Sequence, residues 1–149
     1  MLRLTLIAAV AMIMCFSSCT KEKKIEGKWK ITYAKEDGYN DKNAIGETWT
    51  FKENGTFVGY LSYFEQEVTA KWSIDGNELI IKGGDLEGSE SGSGWSDSWE
   101  IIYTLDIDQL DNKNLVVSGK AKEIYTETED GYTDTDTDSW SVSYELEAK

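Results

Sequence analysis

Gly27-Lys28-Trp29-Lys30-Ile31-Thr32-Tyr33 places Gly27, Trp29, Ile31 and Tyr33 on one face and Lys28, Lys30 and Thr32 on the other. A period of two is what a strand with one buried side produces. The rest of the chain repeats it. Strands are predicted at 45–52, with Ile45, Glu47, Trp49 and Phe51 on one face, and at 56–64, where neither face is clearly polar. Further strands are predicted at 68–75, 77–82, 98–107, 114–126 and 139–147; the last alternates Trp140, Val142, Tyr144 and Leu146 with serines and glutamates. Asn54-Gly55 and Asp75-Gly76 are tight-turn signals, and residues 108–113 turn the chain again. Residues 34–44, 83–97 and 127–138 read as polar loops, the latter two rich in Gly, Ser, Thr and acids. No segment shows helical periodicity beyond a short turn near 23–26.

About eight antiparallel strands joined by short connections predict an all-β domain, an up-and-down barrel. Composition agrees, with 12% aromatic residues, 6 Trp and 8 Tyr, against no Pro. The 149 residues hold one such domain. There is no histidine, which excludes Ser-His and Cys-His nucleophile pairs and His-based zinc sites. A net charge of −13 argues against nucleic acid as a partner.

Residues 1–18 read as a secretory leader: Arg3 precedes an apolar run, Leu4 to Met14, that is too short to span a bilayer. Phe16-Ser17-Ser18-Cys19 resembles a bacterial lipobox, which implies that Cys19 becomes the lipidated N-terminus of the mature chain. Residues 19–24 then form a tether and 25–149 the barrel. Cys15 leaves with the leader, so no internal disulfide is expected. The implied location is the bacterial cell envelope, lipid-anchored, at the outer membrane.

Gly27-Lys28-Trp29 resembles the Gly-x-Trp motif of the lipocalins and related calycin-type barrels. Trp49-x-Phe51 followed by Asn54-Gly55-Thr56-Phe57, and Trp72-Ser73-Ile74 followed by Asn77-x-Leu79-x-Ile81, are similar to patterns in lipocalin-like bacterial lipoproteins. The resemblance covers about 25–148. It implies that Gly27 and Trp29 cap the closed end, although the final strand has no arginine to pack over that tryptophan.

In a meander, alternate connections share an end. The tight turns at 54–55, 75–76 and 111–112 therefore fall beside Trp29, and the long acidic connections form the opposite, working rim. That rim carries Glu36, Asp37, Asp41, Asp85, Glu87, Glu90, Asp97, Glu129, Asp130, Asp134, Asp136 and Asp138. Tyr33, Glu47, Tyr63, Val68, Trp99, Tyr103, Glu123, Tyr125 and Trp140 are expected beneath it on inner faces. Aromatic walls with a few polar groups suit a small-molecule site.

The expected role is binding a small, mostly apolar, neutral or cationic ligand without catalysis or cofactor; fatty acids would be repelled by the rim. The alternative is a filled barrel whose acidic loops grip a basic protein partner. Glu47 and Glu123, carboxylates on an apolar face, are the pair that acid-base chemistry on a glycoside would need. Asp134, Asp136 and Asp138 are candidate cation ligands, but the EF-hand pattern fails because Ser139 stands where its glycine belongs.

Overall fold

The computed structural model describes residues 21–149, so the leader, Cys15 and the expected lipidation site Cys19 lie outside the described residues. Ten strands follow in order: β1 (Gly27–Glu36), β2 (Tyr39–Asn40), β3 (Thr48–Phe51), β4 (Thr56–Leu61), β5 (Gln66–Asp75), β6 (Glu78–Lys82), β7 (Glu87–Gly92), β8 (Trp95–Leu110), β9 (Asn114–Glu129) and β10 (Tyr132–Ala148). Along the wall β1-β3-β4-β5-β6-β8-β9-β10 each strand pairs antiparallel with the next, and β10 returns to β1, from Trp29↔Ala148 to Glu36↔Val142. The result is a closed, eight-stranded antiparallel barrel, with β2 and β7 as additions to its wall. Closure removes the sheet edges that an open meander leaves bare.

The closed end is as the turn signals predict. Gly55 (φ 76°) and Gly76 (φ 61°) take the left-handed conformation that the Asn-Gly and Asp-Gly turns need. Residues 21–25 are helical and lie across these turns. Lys21 Nζ donates to the Gly76 carbonyl at 3.1 Å, and Lys23 Nζ lies 3.4 Å from Glu53 Oε1. Trp29 is buried beneath this segment, and its indole N–H donates to the Ile25 carbonyl at 2.7 Å, so the plug and the first strand are tied together. Above it Trp49, Phe51, Phe57, Trp72 and Tyr144 fill the interior, with ring centroids 4.6–6.1 Å apart.

Two predicted loops are strands. Residues 83–97 form a 3-10 turn at Gly84–Leu86 that buries Leu86, followed by β7 and the start of β8. Residues 127–138 form the end of β9, a turn at Asp130-Gly131 (φ 49° and 83°) and the start of β10. Residues 34–44 are partly strand as well, since β1 runs on to Glu36 and turns through Asp37-Gly38 (φ 45° and 85°) into β2. Low apolar content hid these hairpins; backbone pairing makes them, with I′-type Asp-Gly turns at 130–131 and 37–38 and Gly94 (φ 85°) at the turn between β7 and β8.

Consequently β8, β9 and β10 outrun the barrel. Pairing of β6 with β8 stops at Ile81↔Tyr103, and that of β1 with β10 at Glu36↔Val142. The long strands continue in register to Trp95↔Glu129 and Tyr132↔Glu129, with β7 alongside β8. This four-stranded apron has two unlike faces. One continues the barrel's inner face through the rows Glu90↔Asp97↔Glu127↔Asp134 and Gly88↔Trp99↔Tyr125↔Asp136. The other carries hydroxyls only in the rows Ser89↔Ser98↔Thr126↔Thr135 and Ser91↔Ser96↔Thr128↔Thr133. The acidic rim is thus largely a strand face, and not a set of loops.

Candidate functional site

At the open end a cavity of about 280 Å³ is lined by Tyr63, Phe64, Trp99, Ile101, Glu123 and Tyr125. β8 and β9 supply Trp99, Ile101, Glu123 and Tyr125 from one face, two registers deep: Trp99↔Tyr125 and Ile101↔Glu123. Tyr63 and Phe64 come from a 3-10 turn, Ser62–Phe64, which ends at Glu65 in the left-handed region (φ 51°). That turn ends β4 early, so Tyr63 and Phe64 leave the strand pattern predicted for them and fold over the mouth.

The polar group of the cavity is held in place. Tyr63 donates its hydroxyl to Glu123, at 3.2 Å from Oε1 and 3.3 Å from Oε2, and its ring stacks on Trp140 with centroids 4.9 Å apart. Burial and the charge of Glu123 raise the Tyr63 pKa, so Tyr63 stays a donor at any physiological pH. Phe64 meets Trp99 at 6.3 Å. Asp97, hydrogen-bonded to Tyr125, raises that hydroxyl's pKa too. The Trp140 indole N–H is buried with no hydrogen-bond partner, a donor whose desolvation costs about 1–3 kcal/mol until something accepts from it.

Five of the expected ligand residues, Tyr63, Trp99, Glu123, Tyr125 and Trp140, are therefore brought together. Three are not. A bulge between Ile31 and Tyr33 shifts the phase of β1 by one residue, so Ala34 faces Tyr144 and is buried while Tyr33 pairs with Glu145 on the outside. The Tyr33 hydroxyl instead donates to Asn40 Oδ1 at 3.3 Å.

Glu47 is exposed, and it precedes β3. Ile31 N–H donates to the Glu47 carbonyl while the Ile31 carbonyl accepts from Gly46, so two residues oppose one and the side chains of Ile45 and Glu47 leave the interior. The Glu47 and Glu123 pair needed for glycoside chemistry is not assembled at the cavity. Tyr103 is 1% exposed and belongs to the core, as does Val68; burial drives the Tyr103 pKa far upward.

The bulge in β1 brings in a residue expected in the rim loop 34–44. Glu36 pairs with Val142 on the inner face, at the mouth. Burial, then the nearby charges of Asp41 and Asp37, raise its pKa. Its charge contributes to the raised pKa values of Tyr63, Tyr103 and Tyr144. Nothing in the sequence marks the bulge, which contains neither Gly nor Pro.

Asp134, Asp136 and Asp138 occupy successive inner-face positions of β10, spread along an extended strand, not gathered around a centre. Among the described residues no three acidic or thiol side chains are grouped to hold a metal ion. A larger groove of about 590 Å³ lies on the outer wall, lined by residues such as Glu78, Thr104, Lys120, Lys122 and Ser141. No aromatic ring lines it, so it lacks the stacking surface found at the mouth.

Nothing among curated proteins or solved structures matches the chain. A family model described as a lipocalin-like domain matches residues 25–117, from the helical plug through the first four residues of β9. The matched span holds the Gly27-Lys28-Trp29 cap, Trp49, Phe51, Phe57 and Trp72 of the aromatic core and the tight turns of the closed end, and this chain belongs to the lipocalin-like domain family.

Proposed function

We infer that the protein is a non-catalytic, lipid-anchored binding protein of the bacterial cell envelope, taking a small molecule at the open, acidic end of its barrel. The observation that carries this reading is the aromatic cavity with one oriented carboxylate, Glu123, held by Tyr63. Its volume of about 280 Å³ is at the small end of ligand sites, which run roughly 300–1,000 Å³. The ligand is correspondingly small, with an apolar body for Trp99, Phe64 and Ile101.

Glu123 accepts hydrogen bonds and carries negative charge, and tyrosine and tryptophan faces attract cations. The favoured polar group is therefore a neutral donor or an ammonium. Carboxylate ligands face Glu123, Glu36 and the acidic apron, and are excluded. The leader and lipobox support the anchor at Cys19 and the outer-membrane location, and the charge of −13 disfavours nucleic acid. Replacing Cys19 with alanine should release the protein from the membrane fraction.

The direct test compares three ligand series that share one apolar body and end in an amine, an alcohol or a carboxylate. A ligand that binds only the folded state raises the thermal midpoint, by an amount set by its concentration over Kd. Amines and alcohols should raise it, amines more, and carboxylates should not. Trp99→Ala should abolish the rise, and Glu123→Gln should remove the advantage of the amines. An absence of response to all three series would overturn the reading.

A further inference from the structure

One edge of the apron is unpaired. On β10, Ser141 donates its N–H to Asp37 Oδ1 at 2.8 Å and its carbonyl accepts from Asp37 N–H at 2.8 Å, so Ser141 directs both groups away from β9. A period of two carries that direction to Ser139, Thr137, Thr135 and Thr133. Pairing with β1 has ended at Val142, and among the described residues no strand lies beside these positions.

Two of the outward N–H groups are covered from within the strand. Thr135 N–H donates to Asp134 Oδ1 at 2.9 Å, and Ser139 N–H to Asp138 Oδ1 at 2.7 Å. The Asp-Thr alternation thus shields a bare edge with its own carboxylates. Such shielding is selective. A second copy pairing here would set aspartates opposite aspartates, which is destabilising. A strand bearing Lys or Arg on that face would instead draw the carboxylates to its side chains and uncover the N–H groups for its own carbonyls.

We propose that the free edge of β10, from Thr133 to Ser139, docks an extended, basic segment of another protein by adding it as a further strand. Backbone hydrogen bonds supply the register, and Asp134, Asp136 and Asp138 read alternate Lys or Arg side chains. The aromatic ring of Tyr132 offers a surface to a lysine stem. This goes beyond the ligand reading and does not depend on it, because the cavity takes no part.

The test titrates the full chain with three synthetic eight-residue probes: alternating Lys-Thr, the same peptide N-methylated at alternate residues, and alternating Glu-Thr. The Lys-Thr peptide should bind, less tightly as salt rises. N-methylation, which blocks backbone pairing and keeps the charge, should weaken binding at least tenfold, and the Glu-Thr peptide should not bind. Thr135→Pro removes one outward N–H without touching the β9 ladder and should weaken binding similarly. Asp136→Asn, whose side chain shields no N–H, should weaken it with the fold intact. Equal binding of the N-methylated peptide would show attraction by charge alone and overturn strand addition. So would no binding of Lys-Thr, or equal binding of Glu-Thr.

Discussion

In the closed half of the barrel Trp49 is fully buried, with Phe57 at 5.4 Å and Tyr144 at 4.6 Å, and its indole N–H donates to the Tyr60 carbonyl at 2.7 Å. In the apron Trp95 is 41% exposed, on a strand whose neighbours are Ser, Thr, Asp and Glu. Both regions are antiparallel ladders of comparable regularity. What differs is burial, and burial sets stability. The apron is held by ladder bonds and hydroxyl pairs, Thr126 with Thr135 at 3.2 Å and Thr128 with Thr133 at 3.1 Å. Elements of that kind open locally at far lower cost than a core does. The barrel thus has two unlike halves: one keeps the fold, and the other carries the candidate binding surfaces.

The largest expected effect follows. Trp49→Ala removes the centre of the aromatic cluster and should cost about 3–5 kcal/mol of unfolding free energy. Trp95→Ala, in the apron, should stay within about 0.5 kcal/mol. Urea unfolding of both variants checks this. Equal losses would mean that the apron belongs to the cooperative core and that the division is wrong.

How much of this division the sequence discloses depends on which rule governs each place. The closed end is legible because apolar alternation, the Gly-x-Trp cap and the Asn54-Gly55 turn all report burial or positive φ directly. The apron is hidden because strand recognition rests on apolar alternation, and Ser91, Ser96, Thr133 and Thr135 have none to show. Asp130-Gly131 and Asp37-Gly38 were the available signals, for each is an I′-type turn pair between segments of alternating residue type. The mouth is half legible. Trp99, Glu123 and Tyr125 follow from an unbroken period, whereas the bulge after Ile31 reverses every later assignment in β1, exchanging Tyr33 for Glu36.

A smaller effect sharpens the comparison at matched chemistry. A Cβ on Gly59 would lie 2.5 Å from the Phe57 ring and 2.6 Å from Trp49; one on Gly88 would lie 2.7 Å from Trp99 Nε1. Gly59→Ala meets rings locked in the core and should cost about 1–3 kcal/mol. Gly88→Ala meets a half-buried indole that can swing aside, and should cost about 0.5 kcal/mol or less. The second variant should nonetheless change tryptophan emission and ligand affinity, because Trp99 forms the cavity wall. Unchanged emission and affinity would show that Trp99 does not move, and a loss like that of Gly59→Ala would show that it cannot.

The smallest effect is in pH dependence, where the two ends should respond in opposite directions. At the closed end Asp111 accepts from Gln109 Nε2 at 2.8 Å and from the N–H groups of Lys113 and Asn114 at 2.7 and 2.9 Å, and these bonds lower its pKa. Its contribution is present above the unfolded value of about 3.9 and is lost as pH falls towards the folded one. Glu36, at the mouth, has its pKa raised by burial and by Asp41 and Asp37. Below about pH 4.3 it is protonated in both states and costs nothing; as pH rises through its folded pKa the unfolded chain ionises more readily and stability declines. Urea midpoints across this range should show both slopes, with Asp111→Asn flattening the acid side and Glu36→Gln the other. The same ionisation would attract the cationic ligand proposed above, so Glu36→Gln should yield a barrel that is more stable near neutrality and binds amines less well. A variant that gained stability without losing amine affinity would separate Glu36 from the binding site and leave Glu123 as the carboxylate that selects amines.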